Sequence, residues 1–329
     1  VNIKNIKTLS IFLALLLVLP AAAVSGQGND FVEAWFLYEQ GKAKLEDPGE
    51  AELGEALLLF QEAIEKRGGT FPEAEMAVGD IYFREGAFAL AKRQYEKAYE
   101  LRTNMEVAAD KYTVLYRLSE LHEIQELYAD MQEYLLAVLE DQPYFSEQRY
   151  RSFRDAFLST YFEKGVDHLF MLYRMYGVAF AAPAHTKLGW FYYRSGLYSP
   201  SAVTQCLYAL DIVISDVVEE IRRVQPEFVF STVRDFLDTA FERDYLGQYI
   251  LDSRFFQNLY YLAAATYAAS YPGLANTIWR LLANYPLDRE AAADESSLIY
   301  VQLARRQLQS PWIDPYLNPS PRRIEYPER

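Results

Sequence analysis

Between residues 31 and 308 the apolar positions recur at three- and four-residue intervals, and no stretch sustains the two-residue alternation of a half-buried strand. Every regular element this predicts is a helix, and the helices come in pairs. A first helix holds Gly41, and a second holds Ala56, Phe60 and Ala63 beyond a turn at Asp47, Pro48 and Gly49. Pro72 to Leu101 form the clearest pair. Val107 to Leu118 and Leu121 to Leu139 make a degenerate one, closed at Gln142-Pro143. Ser146 to Phe162 and Val166 to Tyr176 make another, broken near Gly165 and Gly177. A long helix runs from Pro200 through Ile214 to Arg223, where Pro226 stops it, and the next begins at Phe228 and reaches Phe241. A last pair carries Ala264 and Tyr267, a turn at Tyr271-Pro272-Gly273, then Ala275, Trp279 and Leu282. The expected architecture is all-α, and a seam into two sub-domains near Pro143 or near Pro226 stays open.

The best pair also shows an internal period. In PEAEMAVGDIYFREGAFALAKRQYEKAYEL, Gly79, Tyr82, Gly86, Ala91, Tyr95 and Ala98 take relative positions 8, 11, 15, 20, 24 and 27. Small residues at 8, 20 and 27 let two helices approach closely, and large ones at 11 and 24 fill the gaps left. Gly189, Tyr192 and Gly196 repeat the first half, with Ala202, Cys206 and Ala209 one residue late. Around Ala264 the second helix arrives one residue early. This pattern resembles the tetratricopeptide repeat (TPR) superfamily in its exported bacterial form, most clearly over residues 72–101 and 183–210 of a domain at 31–308. The resemblance implies a right-handed α-solenoid of stacked antiparallel helix pairs. It also implies that positions 2, 5, 9, 12 and 13 of each first helix face a concave groove, opposite the core-facing positions 4, 7, 8 and 11. The groove residues expected to bind a partner are Tyr38, Lys42, Met76, Asp80, Arg84, Trp190, Tyr193, Arg194 and Tyr261. Large aromatics beside an Arg are the residue types that dominate protein-binding energetics. TPR modules that clamp a C-terminal carboxylate use Lys at position 5 and Asn at position 9. Met76, Asp80, Thr186 and Trp190 stand there instead, against that mode of binding.

The two ends change composition. Lys4 and Lys7 precede a nearly continuous apolar run from Leu9 to Leu19, followed by Pro20 and the small residues Ala21 to Ser25. That order is the signature of a cleaved secretory signal peptide over residues 1–25. The mature chain is expected to be exported, periplasmic and soluble, with no later segment apolar enough to cross a membrane. After Leu308, Pro311, Pro315, Pro319, Pro321 and Pro327 forbid a helix and predict an extended proline-rich tail over 309–329.

Net charge is −14, and losing Lys4 and Lys7 makes it more negative by two, so phosphate backbones are repelled and nucleic acid is not expected. Cys206 is the single cysteine, too few for an intrachain disulfide or a thiolate zinc site. The three histidines, His122, His168 and His185, form no metal spacing, and no phosphate loop or nucleophile elbow appears. No cofactor, no metal and no enzymatic activity are expected. With 27 Tyr, 20 Phe and 4 Trp, the chain has aromatic rings enough for binding as well as packing. The leading expectation is a non-catalytic periplasmic scaffold that binds one or more envelope proteins, with a homo-oligomer allowed. Two alternatives stay open. One is a solute-transporter accessory that pairs with a binding protein and encloses an apolar cavity between Tyr161–Phe180 and Tyr192–Tyr198. The other is a structural part of an envelope machine such as a flagellar motor collar.

Overall fold

A computed structural model describes residues 26–45, 50–287 and 295–313. The leader expected at residues 1–25 and most of the tail expected at 309–329 lie outside the described residues. Among those described, every regular element is helical. The chain divides into two compact units, residues 1–108 and 109–329, so the seam falls at Ala108-Ala109.

Unit 1 contains α1 (Gly26–Leu45), α2 (Glu50–Lys66), α3 (Pro72–Arg84) and α4 (Phe88–Glu100). α1 packs on α2, α3 on α4, and α2 meets α3. Each pair closes on a glycine set against a ring. A Cβ on Gly41 would lie 2.6 Å from Phe60 Cε1, and one on Gly79 would lie 2.5 Å from Tyr95 Cε1. No other residue fits at that spacing, so both helices approach as far as backbone allows. The Tyr95 hydroxyl donates to Asp80 Oδ1 at 2.7 Å, and Lys97 pairs with the buried Glu75. Residue numbers rise on one helix as they fall on the other, which makes α3 and α4 antiparallel. Phe60, Phe71 and Tyr95 are fully buried. Burying each such side chain stabilises the fold by roughly 1.5–3 kcal/mol.

Unit 2 contains α5 (Asp110–Ile124), α6 (Tyr128–Leu139), α7 (Arg151–Leu172), α8 (Ala182–Arg194), α9 (Val203–Val224), α10 (Val233–Phe241), α11 (Asp244–Asp252), α12 (Phe255–Ala268), α13 (Pro272–Asn284) and α14 (Glu295–Gln309). The pairs are α5 with α6, α8 with α9, and α12 with α13. α12 also packs on α9, and α14 on α12 and α13. α7 bends at Gly165, whose φ of 83° no L side chain adopts cheaply. α10 starts at Val233 rather than at Phe228, because a capping box forms between Thr232 and Asp235. Thr232 Oγ1 accepts from the Asp235 amide and Asp235 Oδ2 from the Thr232 amide, each at 3.1 Å. At the end of α14, Gln307 Oε1 accepts from the Trp312 amide at 2.9 Å and fixes the first residues after the helix.

The turns supply the repeat register that the side chains obscured. In four hairpins one residue takes a left-handed φ after the helix, and the next amide reaches back five residues. The four are Ala87 to Tyr82 O at 2.8 Å, Leu127 to His122 O at 2.8 Å, Leu197 to Tyr192 O at 2.8 Å and Tyr271 to Thr266 O at 3.0 Å. Gly86 and Gly196 hold the left-handed position in two of them, but Glu126 and Ser270 hold it in the others. The break expected between Leu118 and Leu121 therefore lies at Gln125–Leu127 instead, since no glycine marks it. The pair there is not degenerate. Ser119 and His122 stand where Gly79 and Tyr82 do, and Met131, Leu135 and Val138 follow at the spacing of Ala91, Tyr95 and Ala98, all fully buried. The last pair moves by one residue. Thr266, not Tyr267, is the equivalent of Tyr82, and Ala275, Trp279 and Leu282 then fall in register. The late arrival of Cys206 also has a cause, a π-type turn at Tyr198–Ala202 in which the Ala202 amide reaches Leu197 O at 3.0 Å.

One expectation about membranes is corrected. The segment Tyr198–Val224 is long enough to span a bilayer and reaches a mean hydropathy of 1.4, but 89% of that window is buried inside the protein. Its apolar side chains form the centre of unit 2, with sixteen residues of α9 buried.

Candidate binding surface

The nine residues expected in the groove separate into core and surface. In unit 1, Tyr38 is corrected to a core residue. It is 9% exposed and packed among Trp35, Phe60 and Phe71, because its helix face meets α2 and the residues leading into α3. Lys42 is exposed, 5.4 Å from the Tyr38 ring centroid and paired with Glu39. Met76 and Asp80 are half-buried and Arg84 exposed. Asp80 serves the α3–α4 contact through Tyr95, so it belongs to the hairpin as much as to any outer face.

In unit 2 the correction falls on Tyr193 and Tyr261. Tyr193 is 1% exposed, with ring centroids of Tyr261 and Tyr198 at 5.5 and 5.8 Å. Position 12 of α8 is therefore covered by the neighbouring first helix, α12. Asn258 Nδ2 donates to Thr186 Oγ1 at 2.8 Å across the same seam. Tyr261 stands one residue later in the register of α12 than the spacing around Ala264 predicts. It is half-buried and lies between Tyr193 and Tyr300, whose centroid is 6.0 Å away.

Trp190 and Arg194 stay at the surface, both half-buried, and they are not alone. The Tyr128 ring at the start of α6 lies 6.5 Å from Trp190 and stacks on Phe191 at 5.8 Å. Burial, the first cause, and the acidic Glu126 and Glu123 raise the Tyr128 phenol, while Arg194 pulls it back. Lys187 of α8 pairs with Glu123 of α5 nearby. The half-buried rings thus fall in two groups, Tyr128 with Trp190 on α6 and α8, and Tyr198, Tyr261 and Tyr300 around Tyr193 on the turn after α8, α12 and α14, while Arg194 ends α8. Sequence reasoning missed Tyr128, Tyr198 and Tyr300. Tyr128 follows the turn at Glu126, so the left-handed residue needed to find it was not a glycine.

The candidate chemical groups are inside. His185 is fully buried between two glutamines. Its Nδ1 lies 2.6 Å from Gln205 Oε1 and its Nε2 3.3 Å from Gln142 Nε2. Gln142 Oε1 accepts from the Phe145 amide, so Gln142 Nε2 donates to the ring and Nδ1 carries the proton. Burial holds the imidazole down to about 4, neutral at ordinary pH. Cys206 is fully buried against Gly189, where an added Cβ would meet its Sγ at 2.7 Å, and burial pushes its thiol up, away from the nucleophilic thiolate. Among the described residues no group of three His, Cys, Asp or Glu side chains is placed to hold a metal ion. The Tyr- and Phe-rich middle packs ring on ring. Phe157 lies 5.6, 5.2 and 5.4 Å from Phe153, Tyr173 and Tyr208.

No family model matches the chain. It is similar to an uncharacterized protein of Treponema pallidum, 26% identical over 178 residues, 53% of this chain and 47% of that protein. It is also similar to one of Borreliella burgdorferi, 25% identical over 275 residues, 75% of this chain and 83% of that protein. The match thus spans about half the length of the Treponema relative.

Proposed function

We propose that the chain is a non-catalytic scaffold of the TPR class, exported to the periplasm, that binds an envelope protein through the half-buried aromatic side chains of unit 2, Trp190 and Tyr128 foremost. The observation that carries this is the partial exposure of these rings. Five half-buried rings and an Arg sit on the surface of a helix stack whose core is already filled. Such rings cost little side-chain entropy on binding and contribute large apolar areas. The repeated hairpin turns and small-against-large helix contacts support the TPR reading, in which the pairs stack as a right-handed solenoid. A second reading is a structural part of an envelope machine such as a flagellar motor collar.

The test is photocrosslinking from position 190 in the native envelope, identification of the attached protein, and titration of that purified protein. Trp190→Ala is expected to weaken binding by about 2 kcal/mol, roughly thirtyfold, with an unchanged melt. Equal affinity of wild type and variant would remove the Trp190 surface as the binding site. Co-fractionation of the partner with motor basal bodies selects the machine reading, and its absence there the free scaffold.

A further inference from the structure

Between α6 and α7 the chain makes a short turn, Pro143–Ser146, and the fully buried Gln142 caps it: Gln142 Oε1 accepts from the Phe145 amide at 2.6 Å. The other end of that side chain, Nε2, faces His185 Nε2 at 3.3 Å, and the Nδ1 of the same ring donates to Gln205 Oε1 of α9 at 2.6 Å. Phe145 lies edge-on to the imidazole at 5.7 Å. One continuous set of hydrogen bonds, from Phe145 through Gln142 and His185 to Gln205, therefore ties the α6–α7 connector to α8 and α9. The buried Arg154 of α7 holds the same connector, donating through Nη1 to the carbonyls of Tyr144, Phe145 and Glu147 at 3.3, 3.2 and 2.9 Å.

This set of bonds closes in one protonation state only. A neutral ring accepts at Nε2, whereas an imidazolium donates at both nitrogens. Its Nε2–H would meet the Gln142 amide N–H, donor against donor. Turning the Gln142 amide over offers its oxygen to the ring but sets its NH₂ against the Phe145 amide, which moves the clash to the cap. Either way a buried donor is left without an acceptor, and the new charge arrives at a turn that already holds a buried cation, Arg154. We propose that His185 is an acid-released latch: neutral, it fastens the connector from Gln142 to Tyr150 onto α8 and α9, and protonated, it breaks the Gln142 cap, opens the connector and uncovers the half-buried Tyr144, Phe145 and Tyr150. Burial holds the closed ring down to about 4, with the Gln205 bond acting the other way. Once the connector opens and Nε2 meets water, the ring regains its ordinary value of 6.5, so opening is favoured as pH falls from 6.5 towards 4. The other titratable and charged groups around it are Tyr208, at 5.3 Å between ring centroids, Cys206 and Asp211 of α9, Tyr144 of the connector, Arg154 and Tyr161 of α7, and Tyr116 of α5, whose hydroxyl accepts from the Ala184 amide at 3.2 Å. Asp211, raised by burial to about 7, titrates in the opposite sense.

The test is amide hydrogen exchange of the full chain at pH 7 and pH 5, corrected with an unfolded reference and read in residues 145–150. His185→Gln supplies both bonds without a titrating ring, its oxygen accepting from Gln142 and its nitrogen donating to Gln205. Asp211 is common to this variant and the wild type, so the quantity read is the ratio of their openings. That ratio is expected to rise about twentyfold from pH 7 to pH 5. Gln142→Glu offers one oxygen to the Phe145 amide and the other to a protonated ring, so it is expected to stay closed at pH 5, and it gives the same comparison with wild type if His185→Gln does not fold. A ratio unchanged between the two pH values overturns the latch, as does a Gln142→Glu protein that opens in acid like the wild type. A rise shared equally by the amides of α12 and α13 is global unfolding and overturns it too.

Discussion

Gly79 and Gly54 are both helical glycines of unit 1, and the same substitution is expected to have opposite signs at the two. An Ala Cβ at Gly54 meets nothing within 4 Å. Gly54→Ala therefore shows only the gain in helix propensity, about 0.5–1 kcal/mol. At Gly79 the Cβ would stand 2.5, 2.7 and 3.2 Å from Cε1, Cδ1 and Cζ of Tyr95, against a normal carbon contact of about 3.5–4.0 Å. The ring must give by about 1 Å, yet it is fully buried and its hydroxyl is tied to Asp80 at 2.7 Å. Overpacking of this kind costs roughly 1–3 kcal/mol, and a loosened Tyr95–Asp80 bond adds about 0.5–1.5 kcal/mol. Set against the propensity gain, Gly79→Ala is expected to destabilise by about 2 kcal/mol. The assay is urea unfolding followed by far-ultraviolet circular dichroism, with Tyr95→Leu alone and combined with Gly79→Ala. A smaller residue at 95 makes room, so the pair is expected to couple favourably by about 1 kcal/mol or more. If Gly79→Ala stabilises as Gly54→Ala does, or the double variant is strictly additive, the helices are not held at the distance set by that ring.

Two further outcomes follow from the same geometry. Glu126 holds a left-handed φ of 58° where two other hairpins have glycine, so Glu126→Gly is expected to stabilise by about 0.5–1 kcal/mol in the same urea assay; a loss of stability would place the strain elsewhere. His185 and Asp211 give opposed pH dependences: His185, lowered from 6.5 to about 4, contributes stability present above 6.5 and lost as pH falls towards 4, whereas Asp211, raised from 3.8 to about 7, contributes stability present below 3.8 and lost as pH rises through 7. The two slopes nearly cancel between pH 4 and 6.5 in the wild type, and Asp211→Asn is expected to leave the His185 slope alone, a rise of about 3 kcal/mol across that window at about 1.4 kcal/mol per unit, so an unfolding free energy of Asp211→Asn that is flat with pH contradicts this.

The sequence by itself determined the helical class and the closest contact in three of the pairs. Gly41 against Phe60, Gly79 against Tyr95 and Gly189 against Cys206 were all legible, because the period of a helix and the size of a side chain fix which residues meet across one short turn. It also separated the surface residues Trp190 and Arg194 from the core-facing Leu188 and Tyr192. What the tertiary structure decided was depth and register. Helical spacing says which face a residue is on, but whether that face meets water depends on a helix distant in sequence. Tyr193 is buried because α12 arrives over it more than sixty residues later. Tyr38 is buried because Phe71 closes over it. Register was lost wherever a residue other than glycine took a left-handed φ, as at Glu126 and Ser270, since the packing around such a turn enforces a conformation its own sequence does not announce. Asp211 was illegible for the same reason: one carboxylate on a helix is unremarkable until the folded chain buries it completely.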